Sequence, residues 1–355
     1  ATCSTATGRL EVFSDITVAN DLDLSAGCSL YSLGQNVWNG QIKTPLNSPG
    51  TTIDVAGGTL GLHAMTGFGF AKTDSGTLRL LSDLQPLEGQ IAGGTTVVAG
   101  TQLGTATLAA GATLGASTVV FLPTVDTLDA SAGGIVTPGD AGTTTELYVG
   151  ALTLGATATY LVALNGVAPA DGYGRVHLTG TASLGGATLA GSIGAGFSPL
   201  TGATFRIIDN VTANPISGTF AGLPENAYLR FSNTDLRISY VGGDGNDVVV
   251  TVIAPPTVTI AIGGSFCPGG SVLLTAQPSA GTGSYAAYQW YLNGVAIMGA
   301  TLSTFNASSP GSYTVTVTDS VGVVSAPSAP IVVGDSTAPT VNAPAAVAIT
   351  QTLCQ

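Results

Sequence analysis

Two carboxylates and one amide stand close together in a glycine-rich stretch of the chain. The stretch is residues 242–250, GGDGNDVVV, and its candidate ligands are Asp244, Asn246 and Asp247. Side-chain oxygens of this kind bind Ca²⁺, and glycine turns expose backbone carbonyls beside them. A calcium-binding roll needs several tandem copies, because each ion is shared between successive turns, and this chain has one. We therefore expect a hairpin turn between two strands, with a calcium site as the alternative.

The two histidines, His63 and His177, are the next candidates for chemistry. They are too few and too isolated in sequence for a zinc site. In the segment 173–178, YGRVHL, strand alternation places Tyr173, Arg175 and His177 on one face, so we expect His177 to be an exposed strand residue. A serine hydrolase would carry a G-x-S-x-G elbow between a strand and a helix, and the sequence shows neither that motif nor a helical period. We predict no catalytic role for either histidine.

Sugar-cleaving enzymes use a pair of carboxyl groups, one as general acid and the other as base or nucleophile. Asp21 and Asp23 share a strand face, and Asp126 and Asp129 lie close in sequence. Catalysis would need such pairs to converge with a base on one groove, usually beside tryptophan or tyrosine platforms. Nothing basic or aromatic accompanies either pair in the sequence. We expect the chain not to be an enzyme and to hold no cofactor, with a polysaccharide-active enzyme as the alternative.

The four cysteines bear on the cellular compartment, because disulfides persist where conditions are oxidising. Cys3 and Cys28 fall in neighbouring short strands, a spacing suited to a staple between adjacent coils. Cys267 and Cys354 are the second candidate pair, within one subunit or between two. Four cysteines allow three pairings that the sequence does not separate, and free, buried thiols stay an alternative.

The composition narrows the class of protein further. The 355 residues include 50 glycines, and only 8% are charged, against about a quarter in an average protein. The net charge of −12 comes from a scarcity of bases, so the clusters of Lys and Arg that bind nucleic acid are missing. No apolar stretch approaches the roughly 20 residues of a spanning helix, and we predict no membrane insertion. The start at Ala1 is what we expect of an exported chain whose signal peptide has been cleaved.

Short strand patterns, bounded by Gly, Asp, Asn or Pro, fill the first part of the chain. Residues 1–137 predict a right-handed parallel β-helix, an all-β solenoid, whose inward stacks include Leu103, Leu108, Leu114 and Val119. From 138 to 254 the strands are longer and follow one another with turns between them. For this region we predict hairpin-connected, antiparallel strands that cap the last coil of the solenoid.

Two sets of motifs in these regions resemble a known family. The solenoid segment resembles the autotransporter-associated β-strand repeat of bacterial surface proteins, and the cap resembles the C-terminal part of the same passenger regions. The resemblance covers residues 57–253 and implies a β-helical architecture more than an activity. The matching residues are Lys72, Thr73, Gly76, Thr77 and Leu78, then Gly93, Gly94, Thr95, Thr96 and Val97, and in the cap Tyr173, residues 179–186, 218–225 and 240–250.

Pro255 and Pro256 mark a linker, after which residues 257–334 predict a small immunoglobulin-like β-sandwich. Trp290 fits the buried tryptophan of such a fold, and Tyr313 fits its tyrosine corner. Apolar residues occupy the places of the two core cysteines. The segment also resembles the immunoglobulin-like repeats of secreted bacterial adhesins, in which Cys267 would open a strand but whose second cysteine is missing here.

Residues 335–355 resemble the opening strand of a hyalin-type repeat, another module of surface proteins. Two interpretations stay open. The polypeptide could continue into further modules, or this orphan strand could add to a sheet edge of a neighbouring copy. The second interpretation would bring Cys354 to Cys267.

Together these patterns predict a secreted, non-enzymatic structural protein. We expect a self-assembling subunit of an extracellular filament, sheath or surface layer, with the chain itself as partner. The alternative within this class is a cell-surface adhesin stalk that meets other surface proteins or glycans.

Overall fold

Every described element of the molecule is a strand or a turn. The structure, a computed structural model, describes residues 2–3, 9–13, 15–24, 28–44, 51–66, 69–81, 88–99, 102–117, 123–139, 143–264 and 270–334. Within these ranges no helix is long and apolar enough to cross a membrane. The described chain divides into two compact units, of which the first extends to Val252 and the second follows from Ile253 and also includes Asn233–Asp235.

The first unit is a β-solenoid of about six turns, and the 23 strands that the structure describes in it form one sheet. Its first coils contain β1 (Thr2–Cys3), β2 (Arg9–Phe13), β3 (Thr17–Val18), β4 (Leu22–Leu24), β5 (Ser29–Lys43), β6 (Thr52–Thr66), β7 (Gly69–Thr73), β8 (Thr77–Leu80), β9 (Glu88–Ile91), β10 (Thr95–Ala99) and β11 (Gln102–Leu108). The later coils contain β12 (Thr113–Ser117), β13 (Thr124–Ala130), β14 (Gly134–Thr137), β15 (Glu146–Leu154), β16 (Ala158–Leu164), β17 (Arg175–Leu178), β18 (Ala182–Ser183), β19 (Thr188–Ile193), β20 (Thr204–Asn210), β21 (Tyr228–Phe231), β22 (Thr234–Gly242) and β23 (Asp247–Val252).

Strands of consecutive coils pair in parallel along two ladders. One ladder runs from β7 through β9, β11, β13 and β15 to β17 and β20. The other runs from β8 through β10, β12, β14 and β16 to β19. Thr77, Thr95 and Thr113 hold the same place in three successive coils. The parallel β-helix predicted for residues 1–137 is therefore confirmed, and its ladders continue beyond that range to β19 and β20.

Inward side chains stack between the ladders and form one continuous core. Leu103, Leu108 and Leu114 are fully buried, as the sequence predicts, and Val119 lies outside the described residues. Burial of these stacks removes apolar surface from water coil by coil, which is the main stabilising contribution of such a fold.

The expected change to antiparallel pairing at residue 138 is wrong. The strands β15 to β19 continue the parallel ladders, and antiparallel pairing begins where β20 meets β23. β23 also pairs with β22 as a hairpin. Alternation of apolar and polar residues is the same in parallel and antiparallel strands, so the pattern alone does not separate the two.

Lys72 joins two successive coils and is fully buried. Its ammonium group donates hydrogen bonds to the carbonyls of Thr73 (2.9 Å), Asp74 (2.7 Å) and Gly93 (3.0 Å). A Cβ at Gly94 would lie 2.5 Å from the carbonyl oxygens of Asp74 and Gly76, so this corner has room for glycine alone. Lys72 belongs to the first half of the repeat motif and Gly93 to the second half. The hydrogen bond between them therefore joins the two halves.

Some corners of the coil need glycine because the preceding coil comes too close. A Cβ at Gly150 would lie 2.3 Å from the carbonyl oxygen of Asp126, and a Cβ at Gly180 would lie 2.1 Å from the carbonyl oxygen of Gly150. No real Cβ tolerates such a contact with backbone. This close stacking accounts for part of the high glycine content.

The second unit consists of two antiparallel sheets with a common core. One sheet has the order β24 (Pro256–Ile262), β25 (Val272–Ala280), β28 (Thr304–Ala307), and the other has the order β27 (Val295–Ala296), β26 (Tyr285–Leu292), β29 (Gly311–Asp319), β30 (Ile331–Val333). Trp290, Val315 and Leu274 are fully buried in the shared core.

Candidate functional site

Outward positions of neighbouring strands near the end of the solenoid gather a cluster of charged side chains. Glu146 lies on β15, Arg175 and His177 lie on β17, Asp209 lies on β20, and Asp247 opens β23. The register explains why they meet. Glu146 is the ladder neighbour of Arg175, and His177 is the ladder neighbour of Asp209.

Charges of opposite sign alternate through this cluster. Arg175 forms a close ion pair with Glu146, and its Nη1 lies 3.1 Å from Asp209 Oδ2. Arg206 places Nη1 2.6 Å from Asp209 Oδ1 and Nε 3.2 Å from Asp247 Oδ2. The cluster thus ties β15, β17, β20 and β23 together at the point where parallel pairing gives way to the hairpin.

The two aspartates of the cluster differ in their acidity. Burial raises the pKa of Asp209, but the hydrogen bond from Arg206 and the charge of Arg175 outweigh it, and the net pKa lies below the usual 3.8. Asp247 is fully buried. Burial raises the pKa of Asp247, although its Oδ1 accepts the backbone N–H of Asn210 at 2.8 Å and Arg206 lies close. Asp209 is therefore the carboxylate of this pair whose charged form the cluster stabilises.

His177 is half-buried rather than exposed, because Asp209 and Tyr148 cover it. Its Nδ1 lies 3.1 Å from Asp209 Oδ2, and its ring centre lies 4.5 Å from that of Tyr148. Burial and the adjacent Glu146 raise the pKa of Tyr148, whose hydroxyl donates to Glu146 Oε2 at 3.1 Å. A histidine held by an aspartate is the base of many hydrolases. The contacts that the structure describes for His177 include no serine, threonine or cysteine nucleophile.

A shallow cleft of about 400 Å³ lies beside the cluster. The side chain of Arg206 is 38% exposed at this place. Tyr173 is buried there, with its ring 5.3 Å from that of Phe205 in an edge-on arrangement. Carboxylates already neutralise both guanidinium groups, so the cleft offers N–H donors without a net positive charge. The lining residues are Pro169, Tyr173, Arg175, Thr204, Arg206, Gly243 and Val249.

The glycine-rich stretch forms the turn of the hairpin between β22 and β23. Asp244 is exposed, whereas Asp247 is buried beside the guanidinium of Arg206. The side-chain amide of Asn246 donates to the carbonyl of Thr212 and fixes the turn on the neighbouring loop. In the described ranges no group of three or more His, Cys, Asp or Glu side chains could hold a metal ion. These contacts support the turn interpretation, and the calcium alternative stays a prediction.

The cysteines are described only in part. Cys28 is buried and disulfide-bonded, and the described part of the chain shows no free cysteine. The backbone of Cys3 lies in β1 beside Leu24 of β4. The side chain of Cys3 lies outside the described residues, as do Cys267 and Cys354. Both pairings, Cys3 with Cys28 and Cys267 with Cys354, therefore stay predictions.

The two aspartate pairs serve the ladders and turns of the solenoid. Lys43 is the ladder neighbour of Asp23, so the expectation that nothing basic accompanies that pair is wrong. The sequence analysis did not use the number of residues per coil. That number determines which residues of consecutive coils become neighbours in a ladder. The other three aspartates accept hydrogen bonds, which are Gln41 N–H to Asp21 Oδ1 (2.8 Å), Gln102 Nε2 to Asp126 Oδ1 (3.1 Å) and Ser131 N–H to Asp129 Oδ1 (2.8 Å).

Sequence reasoning missed Glu146, Arg206 and Asp209, which hold the charged cluster together. Arg175 and Glu146 are 29 residues apart, and His177 and Asp209 are 32 residues apart. A count of residues per coil could have found them, because outward positions of consecutive coils repeat at about that distance here. The chain matches no protein-family model, and no curated protein matches it.

Proposed function

We propose that this chain is a structural protein of the cell exterior, a stiff shaft that assembles with copies of itself into a filament, sheath or surface layer. The observation that carries the proposal is the continuous parallel ladder of the solenoid, from β7 to β20. Each coil is hydrogen-bonded to the next along its strands, and bending the shaft would strain many backbone bonds together. Such a stiff unit would transmit force along the assembly and would fix the distance between the parts at its two ends.

Two further features support this role. Cys28 is disulfide-bonded, and structural disulfides are typical of oxidising, extracellular compartments. The low fraction of charged residues, 8%, leaves a surface of small and polar side chains, on which copies can pack closely at little cost in charge desolvation.

The second unit has features of an immunoglobulin-like module, and we propose that it connects one shaft to the next part of the assembly. Trp290 is fully buried, and its Nε1 donates to the carbonyl of Leu302 at 2.9 Å. The hydroxyl of Tyr313 donates to the carbonyl of Ser309, four residues upstream, at 2.8 Å. A buried tryptophan and a tyrosine that bonds back to upstream backbone are typical of that fold. The resemblance to surface passengers and adhesins supports the same role.

Electron microscopy and light scattering of the purified chain test the proposal, with and without reductant. We expect ordered oligomers or filaments, with contacts that bury more than about 1,000 Å². Isolated monomers under all native conditions would contradict it. Loss of assembly on reduction would assign the contact to a disulfide.

The cleft beside Arg175 and Arg206 favours a second candidate function, an adhesin stalk that binds neutral glycans. Guanidinium N–H groups donate hydrogen bonds to sugar hydroxyls, and the cleft has room for one sugar unit. A panel of oligosaccharides with and without uronic acids tests it. Binding that is selective for the neutral members and is lost in Arg206→Gln would support this candidate, and no selective binding would remove it.

A further inference from the structure

A groove of about 340 Å³ on the second unit exposes large apolar side chains. It runs along β28, beside the loop that leads from β27 to β28. Met298 is fully exposed and Leu302 is 71% exposed. The groove is lined by Met298, Gly299, Ala300, Thr301, Leu302, Thr304, Phe305 and Asn306.

The loop that forms one wall of the groove is held in place from below. The backbone N–H of Trp290 donates to the carbonyl of Ala300 at 3.1 Å, and Nε1 of the same residue donates to the carbonyl of Leu302 at 2.9 Å. Trp290 is fully buried, so this support does not depend on solvent. The groove is therefore preformed, and a ligand would not have to order it.

β28 also offers backbone hydrogen bonds. It pairs with β25 on one side and is the last strand of its sheet in the part of the chain that the structure describes. An edge strand presents unpaired N–H and C=O groups to an added strand. An open edge beside apolar side chains is the arrangement that binds an extended segment, whose backbone pairs with the edge while alternate side chains fill the groove.

The chain itself contains a segment of this kind beyond the described residues. Residues 336–355 carry no charge, and within them AVAIT, residues 346–350, alternates small and large apolar side chains. The segment follows β30, which lies at the opposite end of its sheet from β27. The groove is lined by β28, which belongs to the other sheet of this unit.

We propose that residues 346–350 of a second copy add as a strand to β28 and place Val347 and Ile349 in the groove. Because the tail of one copy would occupy the groove of the next, the contact is head-to-tail and joins copies into chains. This inference rests on the proposed self-assembly and names the surface that carries it.

A peptide of residues 336–355, with Cys354→Ser, tests the contact directly against a chain that ends at Gly334. We expect saturable binding by calorimetry, weakened by about tenfold or more in Leu302→Asp, because the added carboxylate would be buried without a partner. Leu200→Asp is the matched control, since Leu200 is 80% exposed in the first unit, and it should leave binding unchanged.

The result separates this inference from the proposed function. Absence of peptide binding, or equal binding by Leu302→Asp, overturns the contact even if the full-length chain assembles. Peptide binding to the shortened chain but not to a monomeric full-length chain would show that the groove holds the tail of its own chain, which also overturns the contact between copies. Peptide binding, with assembly of the full-length chain that Leu302→Asp abolishes, supports the inference.

Discussion

Lys72 lies in an environment that its residue type does not lead one to expect. A lysine in a threonine- and glycine-rich strand would ordinarily be solvated, yet this one is fully buried and donates to three backbone carbonyls. Three acceptors match the three N–H bonds of an ammonium group. The residue therefore acts as a clasp between successive coils.

We predict that Lys72→Met destabilises the first unit by about 3 kcal/mol, because it removes the three hydrogen bonds that the buried ammonium group donates to the backbone of two coils. Urea unfolding followed by circular dichroism measures the change in the free energy of unfolding. Lys43→Met is the control, since Lys43 is exposed and its loss should cost little. Equal stability of the two variants would show that the clasp contributes nothing.

The stability contribution of Lys72 should depend on pH. Burial lowers the pKa of Lys72 to about 8 from its usual 10.5. The unfolded chain then binds more protons between these values, so the free energy of unfolding of the natural protein should rise relative to Lys72→Met as pH increases from about 8 to 10.5. Below about pH 8 the difference should be constant. A decrease over this interval would mean that the fold prefers the ammonium form.

For Asp209 we predict that its contribution to stability depends on pH in the acidic range. Asp209→Asn should destabilise the protein by about 3 kcal/mol at neutral pH, since it leaves the buried faces of Arg175 and Arg206 without their shared carboxylate. Because the folded pKa of Asp209 is lowered below 3.8, its contribution is complete above that value and is lost as pH falls through the folded pKa. Thermal unfolding at several pH values measures this, with the exposed Asp171→Asn as control.

Calcium should leave the stability of the protein unchanged. Arg206 already lies 3.2 Å from the buried oxygen of Asp247, and a cation would have to compete with it. The midpoint of thermal unfolding in millimolar calcium and in chelator should therefore agree. A calcium-dependent rise that disappears in Asp244→Asn would instead establish the calcium site.

Among the elements, the corners of the coil depend most strictly on one residue type. At Gly180 the preceding coil leaves no room for a methyl group, whereas at Gly57 a Cβ would make an ordinary contact of 3.5 Å with Leu33. Both glycines belong to the solenoid, so they form a matched pair.

We predict that Gly180→Ala destabilises the first unit by about 3 kcal/mol and that Gly57→Ala changes its stability by less than about 1 kcal/mol. The physical reason is the carbonyl oxygen of Gly150, which must move to admit the new methyl group. Equilibrium unfolding of both variants tests this. Similar losses in both would show that chain entropy, and not the close approach, decides the cost.

The direction of pairing is the property of the elements that the sequence did not reveal. The alternating pattern of 138–254 located buried strands such as β16 and β17, but it predicted hairpins where the structure has parallel ladders. Each strand buries one face whichever way its neighbour runs, so the local pattern is the same. Among the described strands of 138–254, the hairpin of β22 and β23 has a local signal for antiparallel pairing in its Gly-Asp-Gly-Asn turn.

For the whole molecule we predict two separate unfolding transitions, one for each compact unit. The chain has two tryptophans, of which Trp38 lies in the first unit and Trp290 in the second. In Trp38→Phe, fluorescence should follow the second unit alone, while circular dichroism should record both transitions. Coincidence of all probes in one transition would show instead that the units unfold cooperatively.

The sequence by itself determined the all-β class, the positions of many strands and the inward leucines, because alternation and glycine corners are local properties of the chain. Tertiary structure alone decided the direction of the strands at 146–193, the burial of Lys72 and the meeting of Glu146, Arg175 and Asp209. The physical reason is the length of each coil. It sets which outward residues become neighbours across a ladder, and no local pattern records it.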